Sequence, residues 1–188
     1  MVDANDYFEY LHTRSWKGIA YRKYWLYPRI SKYFKGRVLD VGCGIGDMLE
    51  FYNAATGVDV NPKTVEYCVS KGLSAKLMAT DELPFKDGTF ESVLLDNVLE
   101  HLEQPEKLLS EINRVLVTDG RVIIGVPGKK GYTRDPDHKI YYNKSNLSKV
   151  LKLAGFSKDL VFAMPFESDW LDMHLSQYCV YGVFKKND

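Results

Sequence analysis

The stretch Arg37-Val38-Leu39-Asp40-Val41-Gly42-Cys43-Gly44-Ile45-Gly46 decides the fold. Residues 37–41 are a short apolar run between Gly36 and Gly42. A run that brief, bounded by glycines, reads as a buried strand. The glycines at 42, 44 and 46 turn the chain, and a helix starts at Asp47. Glycine reaches positive φ at little cost and lets backbone approach a ligand closely. The helix start behind it offers N–H groups and the positive end of a dipole. The spacing is not the G-x-G-x-x-G of dinucleotide binders, because the third glycine comes one position early. It suits a ligand carrying a carboxylate and an amine rather than a pyrophosphate.

Strands and helices alternate downstream of this turn. Residues 55–60, 75–79, 90–96, 121–126, 160–164 and 177–184 read as six more strands. Between them, Pro62 with Asn61 as cap starts a helix that stops at Gly72. A second helix from Pro105 to Leu116 places Leu108, Leu109, Ile112 and Val115 on one face. A third runs from Lys144 to Leu153. The alternation predicts a mostly parallel sheet with helices on both faces. Ligands of such sheets sit at the carboxyl ends of the strands. The chain reads as one domain over 1–188, with a core from 36 to 188. Residues 1–35 carry Tyr7, Tyr10, Trp16, Tyr21, Tyr24, Trp25 and Tyr33. They read as a helical cap that either packs on the sheet or closes over the site as a lid.

The strand ends carry the chemistry. Asp59 closes the second strand, where a carboxylate accepts hydrogen bonds from ribose hydroxyls. In Asp59-Val60-Asn61-Pro62 it also stands where a helix cap would. After the third strand come Thr80, Asp81, Glu82 and Leu83. A carboxylate there accepts from an exocyclic amine such as adenine N6, and an apolar side chain flanks the ring. After the fourth come Asp96-Asn97-Val98-Leu99-Glu100-His101, with His101 and Glu100 the best titratable candidates.

In order, these segments resemble the class I SAM-dependent methyltransferases, in particular the small type 11 group (SAM, S-adenosylmethionine). The matching text is Val38–Gly46, Gly57–Pro62, Asp81–Phe85, Asn97–Leu102, Glu111–Leu116 and Gly120–Ile124. The resemblance implies a Rossmann-like, doubly wound α/β sheet of seven strands, the last antiparallel. It implies that Asp40, Gly42, Cys43 and Gly44 hold the methionine part. It also implies that Asp59 with Val60 takes the ribose and that Thr80, Asp81, Glu82 and Leu83 border the adenine. Asp96, Asn97 and Val98 would line the methionine side. The implied reaction is methyl transfer from SAM to oxygen or nitrogen of a small-molecule acceptor, leaving S-adenosylhomocysteine. A different class of reading is a SAM-binding regulatory or assembly protein without catalysis.

A second resemblance concerns His101 and His138. Some O-methyltransferases carry Glu-x-x-Glu-His at this place with a later histidine and bind a divalent metal. Here Glu100, His101 and His138 match, and Asn97 replaces the first carboxylate. No metal is therefore assigned, and these three residues stay a candidate set. His101 and His138 are the candidate catalytic residues, as pocket bases or hydrogen-bond donors. The Asn/Asp-Pro-Pro-Tyr/Phe signature of amino-methyltransferases is absent after the fourth strand. The segment 164–176, with Phe166, Trp170 and His174, either builds the acceptor pocket or packs at the sheet edge.

Composition excludes other classes. The 25 Lys and Arg balance the 25 Asp and Glu, so no basic field for nucleic acid exists. No apolar run approaches the roughly 18 residues of a membrane span. Cys43, Cys68 and Cys179 are scattered, without zinc spacing, as in a reduced compartment. The first ten residues are acidic and aromatic rather than a signal peptide. The sequence predicts a cytoplasmic protein.

Overall fold

The computed structural model describes residues 8, 9, 11, 13 and 15–187. The parts of the proposed cap at Tyr7 and Tyr10 lie outside the described residues. Seven strands form one sheet in the order β3-β2-β1-β4-β5-β7-β6. They are β1 (Val38–Val41), β2 (Ala55–Asp59), β3 (Ala75–Leu77), β4 (Phe90–Asp96), β5 (Leu116–Pro127), β6 (Phe156–Met164) and β7 (Cys179–Lys186). Strand β7 runs antiparallel to both β5 and β6, and the other pairings are parallel.

The central strand is β1, hydrogen-bonded to β2 on one side and β4 on the other. All four of its residues are buried, which is why the run is apolar without alternation. The strand order reverses between β1 and β4, so their carboxyl ends open the crevice where such sheets bind ligands.

One face of the sheet is covered by α5 (Pro105–Val115) and α7 (Lys144–Leu153). Leu108, Leu109, Ile112 and Val115 form the buried face of α5 and pack on Leu39, Val41, Val93 and Leu95. The other face carries α3 (Asp47–Phe51), α4 (Pro62–Ser70) and the N-terminal helices. Those include α1 (Trp16–Tyr21), capped by Ser15, which passes through a π-helical turn at Arg22–Leu26 and continues as α2 (Tyr27–Ile30). Leu26, Tyr27 and Ile30 bury themselves among Leu94, Ile123, Tyr181 and Val183. Each such burial stabilises by about 1.5–3 kcal/mol, so the described part of the N-terminal segment is anchored on the sheet.

Several boundaries differ from expectation; β3 ends at Leu77 and β7 runs from Cys179 to Lys186. Strand β5 starts at Leu116, directly out of α5, rather than at Arg121. Leu116 pairs with Phe90 and Arg121 with Ser92, so Asp119-Gly120 bulges out of a continuous strand, with Asp119 at φ 63°. Strand β6 begins at Phe156 because β7 offers it a partner as far as Lys186. The 164–176 segment contains a short helix, α8 (Asp169–His174), capped by Ser168. Another short helix, α6 (Lys129–Tyr132), follows β5. Asp172 of α8 accepts from the Lys129 N–H at 2.7 Å and ties the two together.

Candidate cofactor and active site

A cavity of about 340 Å³ opens at the carboxyl ends of β1, β2 and β4. Its floor is Val41 and Gly42; one wall is Asp59, Val60 and Asn61; the other is Asn97, Val98, His101 and Leu102. Met78 and Thr80 border it after β3, and Leu108, Asp135 and Asp137 complete it.

The glycine turn is stitched to β2. Gly42 and Cys43 both donate to the Val58 carbonyl, at 2.8 and 3.0 Å. Gly42 sits at φ 76°, and a Cβ there would lie 2.4 Å from Val98 Cγ2. Only glycine therefore brings the β1 end and the β4 end this close together.

Asp59 is the best-fixed polar group on the wall. Its Oδ2 accepts from the Gly44 N–H at 2.8 Å and its Oδ1 from the Asn61 N–H at 2.9 Å. Burial pushes its carboxyl up, and these backbone bonds oppose that rise. The Thr64 side chain and the Val60 N–H also bear on it, and its carboxylate lines the cavity. The cap of α4 is Asn61, whose Oδ1 accepts from Lys63 N–H at 3.0 Å, so Asp59 is not needed for that role.

Asp40 and Asp96 lie behind the turn, toward the N-terminal helices. Asp96 accepts from Arg22 Nη1 at 2.9 Å, from the Tyr181 hydroxyl at 2.5 Å and from Asn97 Nδ2 at 3.1 Å. Asp40 is buried, and burial, then Asp96 and Asp59, hold its carboxyl well above the usual carboxylate range. Arg22 and Tyr181 had no signal in the sequence beyond one arginine among aromatics and one tyrosine in a strand.

The segment after β3 lies differently. Asp81, 45% exposed at its side chain, pairs with Lys107 of α5 at 3.4 Å. It shares a shallow surface depression with Glu82, away from the cavity. Leu83 is core, its N–H held by Glu111 Oε2 at 2.9 Å. Of this segment only Thr80 reaches the cavity wall.

The structure brings His101 and His138 together, their ring centroids 4.6 Å apart. His138 Nδ1 lies 2.8 Å from the Tyr132 carbonyl, and its ring stacks on Tyr132. Lys139 and Ile140 donate backbone N–H bonds to the Glu100 carbonyl, at 2.7 and 3.1 Å, which docks this loop on the end of β4. Burial and then His138 push the His101 imidazole down, toward its neutral form. Asp135 on the cavity rim and the Tyr132 carbonyl went unnoticed in the sequence. Both act through the fold of the loop, not through spacing. Phe166, Trp170 and Met173 are exposed and do not line the cavity. Among the described residues no helix is long and apolar enough to cross a membrane.

Comparison with known proteins agrees with this geometry. Residues 39–124 match the family model described as a methyltransferase domain. An uncharacterized protein of Methanocaldococcus jannaschii is 34% identical over 122 residues, covering 65% of this chain and 58% of that protein. A probable S-adenosylmethionine-dependent methyltransferase of Mycolicibacterium smegmatis is 28% identical over 76% of this chain and 63% of its own length. The chain thus spans less than two thirds of these relatives. Among solved structures, a putative methyltransferase in complex with the Haloferax volcanii Trm112 methyltransferase activator superposes with TM-score 0.78 at 15% identity, over 97% of this chain and 98% of that one. The Burkholderia thailandensis 1,6-didemethyltoxoflavin-N1-methyltransferase, solved with S-adenosylhomocysteine, gives TM-score 0.70 at 19% identity, over 98% and 85%. The glycine turn braced by Asp59 and the reversal point at β1 and β4 both fall within residues 39–124, the stretch that matches the methyltransferase-domain family model.

Proposed function

We propose that the protein transfers a methyl group from SAM to an oxygen or nitrogen of a small-molecule acceptor. One observation carries the reading: the buried carboxylate of Asp59 is fixed by Gly44 and Asn61 on the wall of the cavity, at the end of β2 where a ribose diol would meet it. The fit extends to the rest of the cavity. Met78, Val98, Leu102 and Leu108 give it apolar walls for a purine. Asp40 and Asp96, beyond Gly42, set two carboxyl groups behind the glycine turn, where an amino group would draw Asp40 into its ionised form.

When bound, SAM supplies an electrophilic methyl on sulfonium. The chain positions a nucleophile in line with it. His101, on the wall and biased toward neutral imidazole, accepts the proton that the acceptor O–H or N–H loses as the methyl is transferred. His138, held by Tyr132, sets the orientation of that imidazole.

Calorimetry with SAM and S-adenosylhomocysteine tests the first half. Release of S-adenosylhomocysteine across a panel of hydroxyl and amine compounds tests the second. Tight NADH binding without SAM binding would overturn the proposal. A second reading is supported by the neighbour solved with a Trm112 activator: a domain that works only with a protein partner. SAM binding without turnover on the whole panel favours it.

A further inference from the structure

We propose that the helical run from Trp16 to Lys32 docks the protein on an anionic lipid surface. None of its residues lines the cofactor cavity.

Chain-wide neutrality hides a local excess of positive charge. Seven of the 25 basic residues, and none of the 25 acidic ones, fall from Ser15 to Leu39. The rest of the chain is therefore net negative. Arg22 and Arg37 are paired, with Asp96 and Glu91. Lys17, Lys23 and Lys32 are exposed and form no ion pair among the described residues.

The same segment exposes large apolar side chains. Trp16 is 74% exposed, Tyr24 73%, Ile19 45% and Trp25 41%. Trp16, Ile19, Lys23 and Tyr24 follow the spacing of one side of a helix, at i, i+3, i+7 and i+8. Leu26, Tyr27 and Ile30 of the same run are buried on the sheet. A segment pinned by core packing therefore holds these aromatics outward. Clustered exposed apolar side chains rimmed by charge mark a contact surface.

Aromatic rings among basic side chains also suit single-stranded nucleic acid. The placement of the cations favours lipid instead. Lys17 Nζ lies 5.9 Å from the Trp16 ring centroid, Lys23 Nζ 5.8 Å from that of Tyr24, and the Arg29 guanidinium carbon 3.3 Å from that of Trp25. A ring face covered by its own cation is closed to a stacking base. The same pairing fits a bilayer interface. There Trp and Tyr rings sit at headgroup depth, and Lys and Arg beside them reach lipid phosphates. An anionic leaflet attracts this segment and repels the net-negative remainder, which sets the orientation of the docked molecule.

The test is co-sedimentation of the purified chain with vesicles of phosphatidylcholine, alone or mixed with phosphatidylserine. Binding to the mixed vesicles is expected to exceed binding to the neutral ones by at least about tenfold and to fall as salt rises. Each basic residue near an anionic surface is worth about fivefold in partitioning, so Lys17→Glu with Lys23→Glu should remove most of the binding. Trp16→Ala with Tyr24→Ala should weaken it and leave its salt dependence in place. All four side chains are exposed, so both double variants should keep wild-type circular dichroism and SAM affinity. SAM affinity in solution also keeps a failure of the cofactor reading apart from a failure of this surface. Should a double variant lose its fold, Lys32→Glu carries the same test. No binding to either vesicle, equal binding to both, or unchanged binding in the variants overturns the proposal. Binding of a single-stranded oligonucleotide without vesicle binding overturns it in favour of nucleic acid.

Discussion

Arg22 Nη1, on the N-terminal helical run, lies 2.9 Å from Asp96 Oδ2 at the end of β4. Asp96 is 8% exposed at its side chain and Arg22 29%, so the pair is largely shielded from water. It ties the N-terminal segment to the strand end that borders the cofactor crevice. Removing one partner of such a pair strands the other. Asp96→Ala is expected to cost about 3 kcal/mol, at the low end for a buried pair because Arg22 is partly solvated. Arg22→Met leaves Asp96 its bonds from Tyr181 and Asn97 and should cost less. Denaturant unfolding of both variants checks the order, and equal losses would mean that Tyr181 and Asn97 do not compensate Asp96 for the missing arginine.

Asp59→Ala is expected to weaken SAM binding by roughly 1.5–3 kcal/mol, the worth of hydrogen bonds to a charged group. The same change frees the Gly44 N–H, so part of the loss comes from a looser turn. Asp59→Asn keeps the shape and one acceptor oxygen and should fall between. Calorimetry on the three proteins decides, and unchanged affinity would remove the ribose role.

Local features were legible in the sequence because their physics is local. Val38 to Val41 announce a doubly buried strand, and Gly42, Gly44 and Gly46 all take positive φ. Features set by chain crossings were not legible. Arg22 and Tyr181 meet Asp96 across 74 and 85 positions. Nothing in the charge pattern pairs them. Glu100, His101 and His138 could be named as residues, but only the tether from Lys139 and Ile140 to Glu100 fixes their distance. Asp81 could also be named from its place in the chain. Its place after β3 predicts an adenine contact, and in the structure its side chain lies 3.4 Å from Lys107, outside the cavity lining.

Gly42→Ala is expected to damage the site in two separable ways. The left-handed backbone at φ 76° costs an L-residue about 1–2 kcal/mol. The new Cβ also meets Val98 Cγ2 at 2.4 Å, which pushes the β4 end away. Adding Val98→Ala relieves the contact but not the backbone strain. SAM affinity should therefore recover in the double variant more than thermal stability does. Equal recovery of both would show that the clash, and not φ, is the constraint.

Asp40 gives the pH prediction. Burial, Asp96 and Asp59 raise its carboxyl well above the ordinary value of 3.8. A group whose folded pKa is raised favours the folded state most at low pH, where it is protonated in both states. Its contribution falls as pH climbs above 3.8 and is lost once the folded pKa is passed. Asp40→Asn removes that slope, so the variant should unfold at higher denaturant than wild type at neutral pH and match it more closely in mild acid. The change should also weaken SAM. If the cationic amino group of the cofactor sits against Asp40, binding draws the carboxyl into its ionised form and releases a proton. Wild-type affinity should then rise with pH, and calorimetry in buffers of different ionisation enthalpy should register the proton. Asp40→Asn should show neither effect. A pH-dependent affinity that survives in the variant would place the titrating group elsewhere.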